Sequence, residues 1–459
     1  MSEDPSALLP PGLAADVERV TGASITAILT RSGGGASREG AELSLRWPDG
    51  REDQAYMNYD VLRAGAGDDA AFRREAAILR ALSGPLKDAG VRTARFIAAL
   101  PERRALLAER VAGEANYNRL RDPAQRSIVA ADYMAQIAAL HAIDVHACPI
   151  ADMGVPQPIA DMIRDRIAAL RARNRAAGDD PLITVTLDWL EANVPAEPDR
   201  LAIVHGDAGP GNFIFADGRV SALLDWELVH YGDPMADIAM LWIRTLFQPF
   251  VPMPEAIAAY EAAGGVPVDR ARVRFWQIFF EAGFAFTSRY DDPSAPPPPN
   301  LGMNMIYTTI HRKVLAGSLA AAAGISLPEV ALPDAPPGPR ERSFTLALDD
   351  LRGVIVPRLA DEQASAKAKG LARLVKWWRD NERYGPAWQA CEVEELSAAL
   401  GTPFASVEQG RIAFVEALAE GSISQEKAIA LCHAAALRSA ALMADAMGGL
   451  SRSSLGPLQ

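Results

Sequence analysis

The spacing of apolar residues changes twice along the chain. Leu13 to Val20 has helical spacing. Three stretches, 24–30, 41–47 and 54–62, are strand candidates, the middle one alternating apolar and polar side chains and the last two separated by the turn Trp47-Pro-Asp-Gly50. Asp69 to Ala81 returns to a 3.6-residue period through Phe72, Ala76 and Leu79, ending near Ser83-Gly84-Pro85. RFIAAL (95–100) and ALLAERV (105–111) complete a small antiparallel sheet with one helix. From about residue 115 the pattern is helical, as in ADYMAQIAALHAI (131–143), with one hairpin interrupting at 212–225. Asp233-Pro234 then opens a helix, Asp at the cap and Pro in the first turn. DDPSAPPPP (291–299) reads as a loop, and SLPEVALPDAPPGPRERS (326–343) as a linker to a separate helical unit over 344–450. The tail SRSSLGPLQ is expected to be disordered.

Composition narrows the class. At 459 residues the chain exceeds one ordinary core, so two or three domains are expected. A net charge of -12 and a pI near 5.1 argue against nucleic acid and anionic membrane surfaces as partners. Cys148, Cys391 and Cys432 are too few and too scattered for a disulfide framework or paired zinc ligands, which fits a reducing cytoplasm. No apolar run reaches the ~20 residues of a membrane span. The N-terminal MSEDPSALLPPG lacks the basic and apolar regions of a signal peptide.

Candidate chemistry lies in HGDAGPGNFIFADGRVSALLDWE, residues 205–227. Two short strands flank Asp217-Gly218, a favoured two-residue hairpin turn. Pairing about that turn sets 216 against 219, 214 against 221 and 212 against 223. Asn212 and Asp225 then sit at the open end, and the glycine-containing loop before Asn212 can fold Asp207 back over it. Two carboxylates and an amide oxygen are hard ligands suited to Mg²⁺, and converging carboxylates call for a counter-ion.

These residues carry a family resemblance. HGDAGPGN resembles the HGDxxxxN catalytic loop of the aminoglycoside phosphotransferase and choline kinase-like family. LLDWE resembles its metal-binding IDWE segment, and YGDPMADIAML its GDPxxDLA segment. IAALHAID (137–144) looks like the helix leading toward that loop. The resemblance covers roughly 13–325. It implies an α+β, bilobal protein-kinase-like fold: a small antiparallel-sheet lobe (13–113), a mostly helical catalytic lobe with the acceptor site (114–325), the linker, and an extra all-α domain (344–450). It implies an ATP- and Mg²⁺-dependent kinase acting on a small-molecule hydroxyl. Asp207 would be catalytic, with Asn212 and Asp225 as metal ligands and His205, Glu227 and Asp237 in support. Asp233 reads as a helix cap.

RSGGGASRE looks like the family's glycine-rich phosphate loop, with Ser32, Gly33, Gly34, Gly35 and Ser37 near the phosphates. Glu75 resembles the helix Glu that pairs with a basic residue on the third strand. Here the chain departs: residues 1–86 hold no Lys, and Asn58 stands 17 residues before Glu75, about where the basic residue is expected. Arg63, or Arg46, is the nearest substitute. ERVAG, with Glu109 and Val111, resembles the segment facing adenine. Between 248 and 312, six acidic side chains meet five basic ones, with seven aromatic residues clustered between Phe275 and Tyr290. That is no acidic wall for a polycation, so the acceptor leans to a neutral or aromatic alcohol or phenol. An aminoglycoside or amino-alcohol kinase and a non-catalytic nucleotide-binding scaffold are the alternatives. The C-terminal helices, with Trp377 and Trp378 side by side, offer a route to a homodimer or partner subunit.

Overall fold

The computed structural model describes residues 8–32, 39–60, 69–286, 298 and 300–459. By contacts the chain forms two compact units. The first comprises 1–159, 197–273 and 456–459; the second comprises 160–196 and 274–455.

The first unit starts with α1 (Leu13–Thr21) and an antiparallel sheet of β1 (Ser24–Ser32), β2 (Glu39–Arg46), β3 (Glu52–Tyr59), β4 (Phe96–Leu100) and β5 (Ala105–Glu109), ordered β1-β2-β3-β5-β4. Period-two patterning explains the core. Leu43 and Leu45 of β2, Met57 and Tyr59 of β3 and Leu107 of β5 are buried together with Leu13 and Val17 of α1. Between β3 and β4, α2 (Ala70–Ser83) starts where Asp69 accepts the N–H groups of Ala71 and Phe72. The α3 helix (Pro123–Ala142) opens on Asp122 and Pro123 in the same manner.

The second unit includes α4 (Ile159–Ala176) from Ala160 onward and α5 (Pro181–Ala192). In the first unit follow β6 (Ala202–Val204), β7 (Phe213–Ala216), β8 (Arg219–Leu223), β9 (His230–Gly232), α6 (Met235–Arg244) and α7 (Met253–Ala262). Strand β6 pairs antiparallel with β9, and β7 with β8. The sequence 205–212 therefore leaves one strand of the β6–β9 pair and enters the β7–β8 hairpin, while 233–237 leaves the other strand.

The second unit continues with α8 (Arg270–Phe284) from Arg274, α9 (Leu301–Ala322), α10 (Glu341–Asp350), α11 (Glu362–Leu400), α12 (Val407–Glu420) and α13 (Gln425–Leu442). Helix α13 packs on α5 and α9, and α11 on α9, α12 and α13. The C-terminal helices thus share a unit with 160–196 and 301–322, a division that does not follow the 326–343 stretch. After α10 the chain makes a π-helical turn and a 3₁₀ turn containing Pro357, so the helical pattern of FTLALDDLRGVIVPRLADE is broken. Pro386, by contrast, lies inside α11.

One expectation needs correction. The tail is not loose: Leu458 is buried, and the carbonyls of Gly456 and Leu458 accept from Trp242 Nε1 (2.9 Å) and Arg270 Nε (3.2 Å). The aromatic residues Phe275, Trp276 and Phe279 of α8 are buried in the second unit, as helical spacing favours; Tyr290 lies outside the described residues. Trp378 is exposed and Trp377 half-buried, as a turn of about 100° per residue dictates.

Candidate active site

The hairpin turn is as its chemistry demands. Asp217 and Gly218 both take positive φ, +48° and +77°, as a type I′ turn requires. Ala216 faces Arg219, but Phe213 faces Leu223 and Ile214 faces Ala222. The simple register expected above is therefore wrong by one residue beyond the turn. A bulge between Ile214 and Phe215 causes the slip. It lets β8 bury adjacent Ala222 and Leu223 while β7 keeps Phe213 and Phe215 inward. The open end still gathers the expected residues: Leu224 N donates to the Asn212 carbonyl at 2.9 Å, and Asp225 follows. Asp225 is exposed and left-handed, with φ +62°, a strained backbone for a non-glycine residue.

The loop before Asn212 is held from beneath. Asp237, in the first turn of α6, accepts from the backbone N–H groups of His205 (2.8 Å) and Gly206 (2.9 Å) and lies 3.0 Å from His141 Nε2. His141 Nδ1 in turn lies 2.8 Å from the Tyr260 hydroxyl. Burial alone would raise the Asp237 pKa. The His141 hydrogen bond, the charges of His141 and His205 and the Gly206 N–H outweigh it and hold the carboxyl below the usual carboxylate range. His205 Nδ1 accepts from Asp207 N at 3.3 Å, which makes Nε2 the donor to the Leu224 carbonyl at 2.8 Å. Burial pushes the His205 pKa below its ordinary value, so its task here is to tie the loop to the hairpin. Asp233 caps α6 through Met235 N (2.9 Å) and pairs with Arg272 (2.6 Å).

Gly206 has φ +85°, and a Cβ there would stand 2.3 Å from the Leu228 carbonyl oxygen. Gly206→Ala is expected to destabilise the protein by more than about 1 kcal/mol, measured as a lowered urea midpoint. An unchanged midpoint would mean that the Leu228 segment yields freely.

Asp207 is half-buried, and its side chain is already engaged. Asn212 Nδ2 donates to its Oδ2 at 2.6 Å and to its carbonyl at 2.7 Å. Arg244 Nη1 lies 2.6 and 2.7 Å from the two carboxylate oxygens, and Nη2 donates to the Pro210 carbonyl at 2.7 Å. Arg244 was not legible in the sequence. Its one signal is a lone cation ending the apolar run ADIAMLWIR.

The nucleotide-side candidates are placed unevenly. Ser32 ends β1, but its side chain, together with Gly33, Gly34, Gly35, Ser37 and Arg63, lies outside the described residues. Glu75 is buried in α2. Arg46 is no substitute cation: it is exposed and paired with Glu52 at 2.8 Å, at the end of the β2–β3 pair. Asn58 keeps the strand position, and its Oδ1 is buried without a partner among the described residues. Glu109 pairs with Arg95 at 3.1 Å, and Val111 is half-buried. Gly113 then brings the chain against the hairpin, where a Cβ would meet Phe215 O at 2.6 Å, and Glu114 exchanges both backbone hydrogen bonds with Phe215 (2.9 and 3.1 Å). The lobe-connecting segment and the Asn212–Asp225 hairpin are thereby one hydrogen-bonded piece.

Among the described residues no group of three or more His, Cys, Asp or Glu side chains has metal-binding geometry. No single described helix is long and apolar enough to cross a membrane.

Comparison with known proteins gives the arrangement its context. Acyl-CoA dehydrogenase family member 11 of Pongo abelii is 28% identical over 149 residues, and that of Gallus gallus 33% over 123 residues. These stretches cover 32% and 26% of this chain but 19% and 15% of the relatives, so the chain matches less than a fifth of their length. Macrolide 2′-phosphotransferase MphH from Brachybacterium faecium is 18% identical, over 70% of this chain and 100% of that one, with a TM-score of 0.44. A thermostable mutant of aminoglycoside phosphotransferase APH(4)-Ia, in ternary complex with AMP-PNP and hygromycin B, is 15% identical over 69% and 98%, with a TM-score of 0.48. Residues 40–276, just over half of the chain, match the phosphotransferase enzyme family. That span contains the sheet from β2 onward, the catalytic-loop motif and the braced hairpin, and with it the chain belongs to the phosphotransferase enzyme family, with that family's protein-kinase-like fold.

Proposed function

We propose that the protein is an ATP- and Mg²⁺-dependent kinase that phosphorylates a hydroxyl of a small neutral organic molecule, aromatic alcohols and phenols included. In the reaction the acceptor oxygen bonds to the γ-phosphorus, the bond from that phosphorus to the β–γ bridging oxygen breaks, ADP leaves, and the hydroxyl proton passes to Asp207. Phosphoryl transfer needs alignment and charge neutralisation more than covalent help. The observation that carries the reading is the Asp207–Asn212 contact at the open end of a hairpin that also delivers Asp225.

The residues present fit a hard cation. Asn212 directs its Nδ2 to Asp207, which leaves Oδ1 as the acceptor end of the amide, and Asp225 is exposed beside it in sequence from Leu224. When bound, Mg²⁺ would neutralise phosphate charge there, with Asn212 and Asp225 as its ligands and Glu227 in support. Ser32, Gly33, Gly34, Gly35 and Ser37 are assigned to the phosphates, Arg63 and Glu75 to the α- and β-phosphate contact, and Glu109 and Val111 to the adenine. The partial likeness to acyl-CoA dehydrogenase family members lends no dehydrogenase activity to this chain.

A nucleotide-binding scaffold is the rival reading, favoured by Asn58 where the resemblance expects a cation. ADP release from Mg²⁺-ATP across phenols, alicyclic alcohols, choline, sugars and aminoglycosides separates the two. The kinase reading expects turnover with at least one neutral alcohol, lost in Asp225→Ala. ATP binding with no turnover on any acceptor, water included, would favour the scaffold.

A further inference from the structure

Arg244 and the loop that carries Asp207 are built around each other. The guanidinium meets the loop at both ends, Nη1 on the Asp207 carboxylate and Nη2 on the Pro210 carbonyl. Two glycines make the room. Gly209 has φ +148°, and a Cβ on it would stand 2.7 Å from Arg244 Cδ and 3.0 Å from Nε. Gly211 has φ +93°, and a Cβ on it would stand 2.9 Å from Gln248 Oε1 and 3.3 Å from Arg244 Nη2. Any side chain at 209 would push Arg244 away. Burial first, then the charge of Asp237, keeps the Tyr133 hydroxyl protonated well above the ordinary range. Asp207 and Arg244 are both only about a fifth exposed, at 23% and 21%, so solvent screens the pair weakly.

We infer that Arg244 is a positioning and specificity-determining residue: it fixes the Asp207 carboxylate for the acceptor hydroxyl and selects acceptors with no cationic centre beside that hydroxyl. The inference rests on the kinase reading and narrows its substrate class. Positioning follows from geometry. A carboxylate bonded on both oxygens by one guanidinium, and on one of them by Asn212, has no rotational freedom to lose when the acceptor arrives. Selectivity follows from charge. A carboxylate that must welcome an ammonium-bearing acceptor needs its negative charge unbalanced. At Asp207 a fixed guanidinium already balances it, so an ammonium brought there meets a like charge with no surplus anion in exchange. Arg244 Nε, buried without an acceptor among the described residues, adds a further cationic donor.

A matched pair of acceptors tests this on the full-length protein. Benzyl alcohol and 2-(aminomethyl)benzyl alcohol share a skeleton and differ by one aminomethyl group, which the ortho position places, as an ammonium, beside the hydroxyl. ADP release with Mg²⁺-ATP is compared for wild type, Arg244→Gln and Arg244→Lys, with melting temperatures confirming that each variant is folded. Wild type is expected to favour the neutral alcohol in kcat/KM by about tenfold or more. Arg244→Gln should lower kcat on it and shrink the preference by about the same factor, with KM for ATP unchanged. Arg244→Lys keeps the charge but not the fork, so it should retain the preference while losing kcat. Equal preference in wild type and Arg244→Gln would overturn the selectivity, and unchanged kcat in Arg244→Gln would overturn the positioning. If neither alcohol is used, slow ATP hydrolysis with water as acceptor is the readout. A fall of about tenfold in Arg244→Gln supports the inference; no change refutes it. Tight, saturable phosphorylation of a kanamycin-like polycation also refutes it and leaves the kinase reading standing. Absence of any hydrolysis in wild type that binds Mg²⁺-ATP overturns both.

Discussion

Asp207→Asn is expected to lower acceptor-dependent ADP release by about a thousandfold, with Mg²⁺-ATP binding retained. The amide is nearly isosteric with the carboxylate, so the loop should keep its shape. Two things change. The side chain can no longer take the acceptor proton, and one amide end turns a donor toward a group that is itself a donor, Arg244 Nη1 or Asn212 Nδ2. The check is a single-turnover assay beside an ATP titration followed by nucleotide fluorescence. A loss of ATP affinity as large as the loss of rate would place Asp207 on the nucleotide rather than on the acceptor. Full activity would remove it from the chemistry.

Asp237→Asn should be the most damaging change to stability in the site, at about 3–5 kcal/mol. The carboxylate is buried and faces three N–H groups, those of His205, Gly206 and His141 Nε2. An amide offers one accepting oxygen and sets its own N–H₂ against the remaining donors. Acid sensitivity should change as well. A carboxyl whose folded pKa is depressed contributes stability above its unfolded value of about 3.9, and that stability is lost as pH falls through the folded value. His205 acts earlier. Its folded pKa is lowered by burial, so below about 6.5 the unfolded chain takes up a proton that the native one refuses, and stability falls from there downward. Wild type should thus lose stability as pH drops below about 6.5 and lose more near the carboxylate range, whereas Asp237→Asn starts lower and lacks the second loss. Calorimetric melts at a series of pH values decide it. Coincident curves for the two proteins would show that the Asp237 contacts are dispensable.

Local chemistry made much of the site legible. Asp217-Gly218 announces its turn because few residues accept positive φ twice in succession. Asp69 and Asp122 announce helix starts because a free N–H needs an acceptor. The loop–hairpin motif is contiguous, so Asp207, Asn212 and Asp225 could be singled out together, and the span of the phosphotransferase family includes them. What failed was whatever depends on partners distant in sequence. The β7–β8 register slips by a bulge because burial of Ala222 and Leu223 outweighs simple pairing. The tail is ordered because Trp242 and Arg270, some 200 residues earlier, donate to its carbonyls. The aromatic residues of α8 look the same in sequence whether they face a ligand or a core.

By itself, then, the sequence determined the sheet-then-helix order, the catalytic-loop motif and the family, all of which rest on short-range spacing and backbone preference. Tertiary structure alone decided that Asp207 is balanced by Arg244, 37 residues away, and that the C-terminal helices share a unit with helices from 160–196 and 301–322. The physical reason is the same throughout. Charge pairing and burial are settled between surfaces that meet only when the chain is folded, and one sequence records the residues on each surface without recording which will face which.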